Sequence, residues 1–184
     1  TITISRVGHE GDGIADCASG PLYVPFTLPG ETVRIERHGE RGLIEEIVTP
    51  SPERVAPPCK HFGACGGCSL QHWSAESYLA WKREQVVAAL AQRGIEAPVA
   101  PIVAVPPSTR RRVTFTVANT TEGIVLGFSR RSSNEILPIE EWPLFAFRRR
   151  AYARRGFHWH KEPTKEIARV RKLLRNEGPL TTTQ

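Results

Sequence analysis

No run in this 184-residue chain approaches the ~18 consecutive apolar residues of a membrane-spanning helix, so no membrane partner is expected. The opening, Thr1-Ile2-Thr3-Ile4-Ser5-Arg6-Val7, alternates apolar and polar residues and lacks the apolar stretch of a secretory leader. A cytoplasmic chain is expected. No segment repeats another. Cysteine is scarce: there are four, and none follows position 68. In the cytoplasm thiols stay reduced, and the four suit two bridges poorly, because Cys17 stands alone while the other three crowd one loop. A disulfide-stapled fold and a membrane protein are both set aside.

What is present is concentrated. Cys59-Lys-His-Phe-Gly-Ala-Cys65-Gly-Gly-Cys68 places three cysteines in ten residues, spaced C-x5-C-x2-C. Gly66 and Gly67 are expected to take positive φ, folding the loop so that Cys65 and Cys68 point at one centre. Convergent thiolates are ligands for soft metals, either zinc or an iron–sulfur cluster. Three are one short of a tetrahedral set. His61 could complete a Cys₃His zinc site, and on spacing alone zinc and iron–sulfur stand level. Cys17 reads as a small buried hydrophobe.

The formal net charge of +6 is a local property. Residues 1–145 carry 14 Lys/Arg against 16 Asp/Glu, a net of −2, whereas residues 146–184 carry 11 against 3, a net of +8. A near-neutral body therefore bears a basic tail, and whole-chain basicity is no argument for nucleic-acid binding.

The predicted organisation is mainly β with α, an α+β arrangement. Residues 1–50 hold short strands at Thr1–Val7, Leu22–Phe26, Thr32–Glu36 and Leu43–Val48, separated by turn chemistry, which indicates a small antiparallel barrel or sandwich. Residues 51–58, with Pro52, Pro57 and Pro58, read as a stiff linker. After the cysteine loop, Ser74 is a candidate N-cap and Gly94 a C′ residue. Between them Leu79, Val86, Val87 and Leu90 fall on one helical face. Strand signals recur at Val113–Val117, Ile124–Phe128 and Glu135–Ile139, giving a small antiparallel β domain within 59–145. Arg110, Arg111, Arg112, Arg130 and Arg131 bracket adjacent strands; they suit phosphate contact, or equally a strand edge guarded by charge.

The order of these parts resembles RNA (uracil-5-)methyltransferases over residues 1 to about 145. Gly11-Asp12-Gly13-Ile14-Ala15 and Val24-Pro25-Phe26-Thr27-Leu28-Pro29-Gly30-Glu31 look like a TRAM domain, an OB-like RNA-binding barrel. The cysteine loop followed by Gln71-His72 and a Tyr78…Lys82 helix is similar to that family's iron–sulfur segment. Arg110-Arg111-Arg112-Val113 and Leu126-Gly127-Phe128…Arg131-Ser132…Ile136 look like its central β domain. The resemblance implies a 4Fe-4S cluster held by Cys59, Cys65 and Cys68; Gln71 and His72 follow that loop and suit a place behind the cluster, or for His72 equally a packing role. It also implies an RNA partner, ribosomal or transfer RNA, and S-adenosylmethionine as methyl donor in the full-length family. No protein partner is implied.

Two departures stand out. Where the family places its fourth cysteine, this sequence reads Glu140-Glu141-Trp142-Pro143-Leu144, and indole cannot ligate iron. Beyond residue 145 no glycine-rich strand–turn–helix and no nucleophilic cysteine follow, so the catalytic half is expected to be missing. The Arg-rich 146–184 is expected to be out-of-frame or disordered text. A non-catalytic RNA-binding adaptor with a zinc or iron–sulfur loop is the alternative.

Overall fold

The structure is a computed structural model and describes residues 1–106, 109, 114–120, 123–139 and 172. Contacts divide the chain into two units. The first is Thr1–Pro58 with Cys68–Ala104, and the second is Cys59–Gly67 with the described residues from Val105 onward.

The first unit is built on six strands: β1 (Ile2–Thr3), β2 (Arg6–Val7), β3 (Gly13–Cys17), β4 (Gly20–Val24), β5 (Thr32–His38) and β6 (Arg41–Thr49). Their order in the sheet is β1-β5-β6-β4-β3-β2. The pairings are antiparallel except for one parallel contact, Tyr23 with Arg41. Both edges of this sheet come from one continuous stretch. Ile2 pairs with Val33 at one end, and Arg6 pairs with Ile14 at the other. Between them Ile4 N–H donates to Glu31 O at 2.9 Å and Ser5 N–H to Ile14 O at 2.8 Å. The sheet is therefore curled, its two edges brought together by a single segment, which leaves little exposed edge. Register shifts between Thr32 and Val33 and between Arg34 and Ile35 increase the local twist.

Alternation along the strands sends Ile4, Ala15, Leu22, Val24 and Val33 inward, with Ile2, Cys17, Ile35, Ile44 and Ile47 packed around them. Cys17 thus sits among apolar side chains. Residues 51–58 are tied to this sheet by hydrogen bonds: the buried Ser51 gives its N–H to Glu31, and Arg54 donates to both Glu31 oxygens at 2.5 and 2.7 Å. Arg54 also donates to Phe26 O at 2.8 Å, helping to hold Phe26 at φ +62°, an uncommon conformation for an aromatic residue.

Helix α1 (Ala75–Ala91) follows. Ser74 is its N-cap, its hydroxyl accepting from Ser77 N–H, and Glu76 lies in the first turn, where the helix dipole favours an acid. Gly94, at φ +67°, ends the helix. Its N–H reaches Ala91 O at 2.9 Å and Ile95 N–H reaches Leu90 O at 3.0 Å, the bond pair of a Schellman turn. No residue of α1 is fully buried. Leu79, Val87 and Leu90 are half-buried but Val86 is 48% exposed, so the expected apolar face is only partly covered. The contact comes from aromatics instead. Tyr78 and Trp81 pack on Val7, Leu28 and Trp73, and Trp81 Nε1 donates to Val7 O at 3.2 Å.

The second unit is an antiparallel sheet, β7 (Thr116–Thr120), β8 (Gly123–Ser129) and β9 (Ile136–Pro138), in that order. Leu126 and Ile139 are its buried centre, with Cys65, Phe115, Phe128 and Leu137 against them. Gly127 has no alternative, because a Cβ there would run into the carbonyl of Leu137 across the ladder.

Candidate functional site

The cysteine loop is held by backbone geometry. Phe62 N–H donates to Cys59 O at 3.1 Å and Cys65 N–H to His61 O at 2.9 Å, so the chain winds through two tight turns between the first two thiols. It then runs alongside the end of β8: Cys65 forms an antiparallel bridge with Arg130, flanked by Gly66 N–H to Ser129 O at 3.0 Å and Arg131 N–H to Ala64 O at 3.2 Å. Glycine at 66 answers close approach rather than turn geometry. A Cβ there would lie 3.1 Å from Ser129 O and 3.4 Å from Arg130 O. The expectation of positive φ at Gly66 and Gly67 is corrected: in this loop the left-handed residue is Gly63, at φ +89°.

Cys59 is buried, and Cys65 and Cys68 are half-buried. None of the four cysteines is disulfide-bonded. Cys59 and Cys65 fall in the second unit and Cys68 in the first. Gly67 N–H lies 3.3 Å from Cys65 Sγ, a donor aimed at sulfur. The donor chemistry fits a soft metal, since three thiols occur within ten residues. Among the described residues, however, no group of three His, Cys, Asp or Glu is gathered closely enough to hold a metal ion. His61, the zinc alternative's fourth ligand, is half-buried within the same loop.

Gln71 is half-buried and His72 is fully enclosed, 1% exposed, in the first unit. The His72 ring meets Phe26 edge-on, with centroids 6.3 Å apart. Burial pushes its imidazole down to about 4, helped by the positive field of Arg54 and opposed by Glu31, so His72 is neutral at physiological pH. Glu31 lies beside it, fully buried. Burial alone would raise its carboxyl, but hydrogen bonds from Arg54, Leu28 N–H and Ser51 N–H outweigh that and hold it below the usual range. This Glu31–Arg54 knot escaped sequence reasoning. A lone acid after Pro29-Gly30 looks like turn chemistry, and Arg54 looks like a linker charge.

The arginines divide. Arg130 and Arg131 sit on the tight turn that joins β8 to β9, both half-buried. Arg130 Nε pairs with Glu135 at 2.8 Å, and its side chain is 40% exposed. Ser132, at φ +53°, and Ser133 N–H, donating to Arg130 O at 3.2 Å, shape the turn. Arg110, Arg111, Arg112, Trp142 and nearly all of 146–184 lie outside the described residues. No helix among the described residues is long and apolar enough to cross a membrane.

A curled sheet, a thiol loop, a capped helix and a small three-stranded antiparallel sheet make this an α+β chain. No protein-family profile matches the chain. Its N-terminal portion does have relatives that cover 78% of its length. An uncharacterised RNA methyltransferase of Brucella suis is 51% identical over 143 residues, and one of Caulobacter vibrioides is 50% identical over 146. The 23S rRNA (uracil(1939)-C(5))-methyltransferase RlmD of Halomonas elongata is 36% identical over 152 residues. Over this stretch the chain is homologous to RNA methyltransferases. It spans about a third of their length, 34%, 35% and 32% respectively.

Proposed function

We propose that this chain is the RNA-recognition and iron–sulfur portion of an S-adenosylmethionine-dependent RNA (uracil-5-)methyltransferase acting on ribosomal or transfer RNA. The observation that carries this reading is the homology along 78% of the chain, which includes a relative whose name specifies a uracil of 23S rRNA. Residues 1–50 act as a TRAM-like barrel on the RNA backbone, joined through 51–58 to the cysteine loop and central β domain of 59–145. The barrel has only Arg6, Arg34, Arg37 and Arg41 against eight acids, so its grip depends on shape and local charge. The second unit adds Arg130 and Arg131, with Arg110, Arg111 and Arg112 in the same stretch of sequence.

In this reading Cys59, Cys65 and Cys68 hold a 4Fe-4S cluster, whose contribution is to brace the loop. Gln71 and His72 follow it in the chain; His72, neutral and enclosed, packs rather than ligates. The target uridine is presented on a single-stranded loop, where it can leave its stack. Methyl transfer is assigned to the two thirds of the relatives' length that this chain does not span.

The test is anaerobic purification of the chain with iron, acid-labile sulfide and zinc analysis, alongside titration of a labelled stem-loop RNA with uridines in its loop. Iron and sulfide in equal amounts with salt-dependent RNA binding are expected. Stoichiometric zinc with RNA binding would favour the adaptor, and no RNA binding at low salt would overturn both.

A further inference from the structure

The two hydrogen bonds between the cysteine loop and the end of β8, which together make the Cys65–Arg130 bridge, both flank the arginines. The β8–β9 turn already closes on itself. Arg130 N–H donates to Glu135 O at 2.8 Å, Ser133 N–H to Arg130 O at 3.2 Å, and Glu135 N–H to Ser133 Oγ at 3.0 Å. The loop is not needed to make that turn. It grips the backbone on either side of Arg130, with Gly66 on Ser129 O, Cys65 bridged to Arg130, and Ala64 O on Arg131 N–H. A clamp of this kind sets where the arginines stand relative to the sheet, not whether the turn forms. Around them Ser132, Ser133 and Asn134 are exposed and Glu135 neutralises part of Arg130, leaving a polar, donor-rich tip.

Resting on the RNA-binding reading above, we infer that Arg130 and Arg131 contact RNA phosphates and that Gly66 is a positioning residue for them, coupling the state of the cysteine loop to RNA grip. A side chain at 66 would crowd Ser129 O at 3.1 Å, which must give by a few tenths of an ångström to admit it, and would touch Arg130 O and Arg131 Cα, each at 3.4 Å. At Gly67, among the described residues, a Cβ would meet Cys65 Sγ alone, at 3.4 Å.

The experiment is a double-mutant cycle on the full chain, read by affinity and salt slope for a labelled stem-loop RNA. Arg130→Gln/Arg131→Gln is expected to weaken binding about tenfold and to reduce the salt slope by about one to two, the loss of one or two phosphate contacts. Gly66→Val is expected to do the same, and Gly66→Ala to show a smaller loss. In the Arg130→Gln/Arg131→Gln background Gly66→Val should have almost no further effect, because it acts through side chains already removed. If the double Gln variant binds normally, the arginines do not touch RNA and the binding reading of this turn fails. If the double Gln variant weakens binding but Gly66→Val does not, the positioning inference alone fails. A Gly66→Val loss that persists undiminished in the Gln background also overturns it, since that is the mark of general unfolding.

Discussion

The curled sheet and the three-stranded sheet solve the same problem with different resources. The first encloses Ile4, Ala15, Leu22, Val24 and Val33 and adds a buried ion pair and a tryptophan-lined helix contact. Among the described residues the second buries Leu126 and Ile139, under a partial cover of aromatics and Cys65. Apolar burial contributes roughly 1.5–3 kcal/mol per large side chain, so the described core of the second sheet contributes less than that of the first.

The largest expected effect is at the knot in the stronger sheet. Glu31→Ala strands Arg54, Leu28 N–H and Ser51 N–H together and should cost about 4 kcal/mol, the scale for breaking a buried pair. Chemical denaturation followed by tryptophan fluorescence measures it, since Trp73 and Trp81 report on this unit. A loss under 1 kcal/mol would remove the knot from the account.

Next come matched truncations, Leu22→Ala and Leu126→Ala, each costing about 3 kcal/mol. Hydrogen exchange should show the first sheet weakened but folded in Leu22→Ala. In Leu126→Ala the β7–β9 amides should open fully while β3–β6 stay protected. Equal opening in both variants would erase the contrast between the sheets.

Acid offers a third way in. Unfolded, His72 takes up a proton near 6.5; folded, only near 4. Between those values the unfolded state binds more protons, so stability falls as pH drops through that window, by at most about 3 kcal/mol. Glu31, held below its unfolded value, adds a further loss as pH falls through its own lower range. His72→Gln should flatten the pH 6.5–4 part of the stability curve; an unchanged curve would show that His72 does not carry it. The smallest effect is at the helix start. Ser74→Ala should cost about 1 kcal/mol in the first unit and leave exchange in the second untouched.

Much of this was legible in the sequence, for reasons that differ by element. Period-two alternation and dense turn chemistry marked most strands of the barrel, and Ser74 and Gly94 marked the helix ends because capping is local. Strand β3 was not legible: Gly13-Ile14-Ala15-Asp16-Cys17 has one β-branched residue, and it is a strand because β4 pairs along its whole length. Thr1–Val7 read as one strand but divides into two short ones that serve opposite edges, which only closure of the sheet dictates. The cysteine spacing pointed to the loop but not to its partner. Nothing near Gly66 in sequence announces Ser129 as its neighbour, since that contact is made across more than sixty residues.

The central claim is that this chain does the work of the matching third of an RNA methyltransferase. It is tested most directly by replacing that third of the Halomonas elongata RlmD protein with residues 1–139 of this chain. The exchange is made in a strain lacking the native gene, and 5-methyluridine in 23S rRNA is then read by mass spectrometry. The account predicts methylation at uracil 1939, the position named for that relative. It also predicts a loss of that methylation when Arg130 and Arg131 are both changed to Gln. A chimera that folds and accumulates but leaves this uracil unmethylated would contradict it.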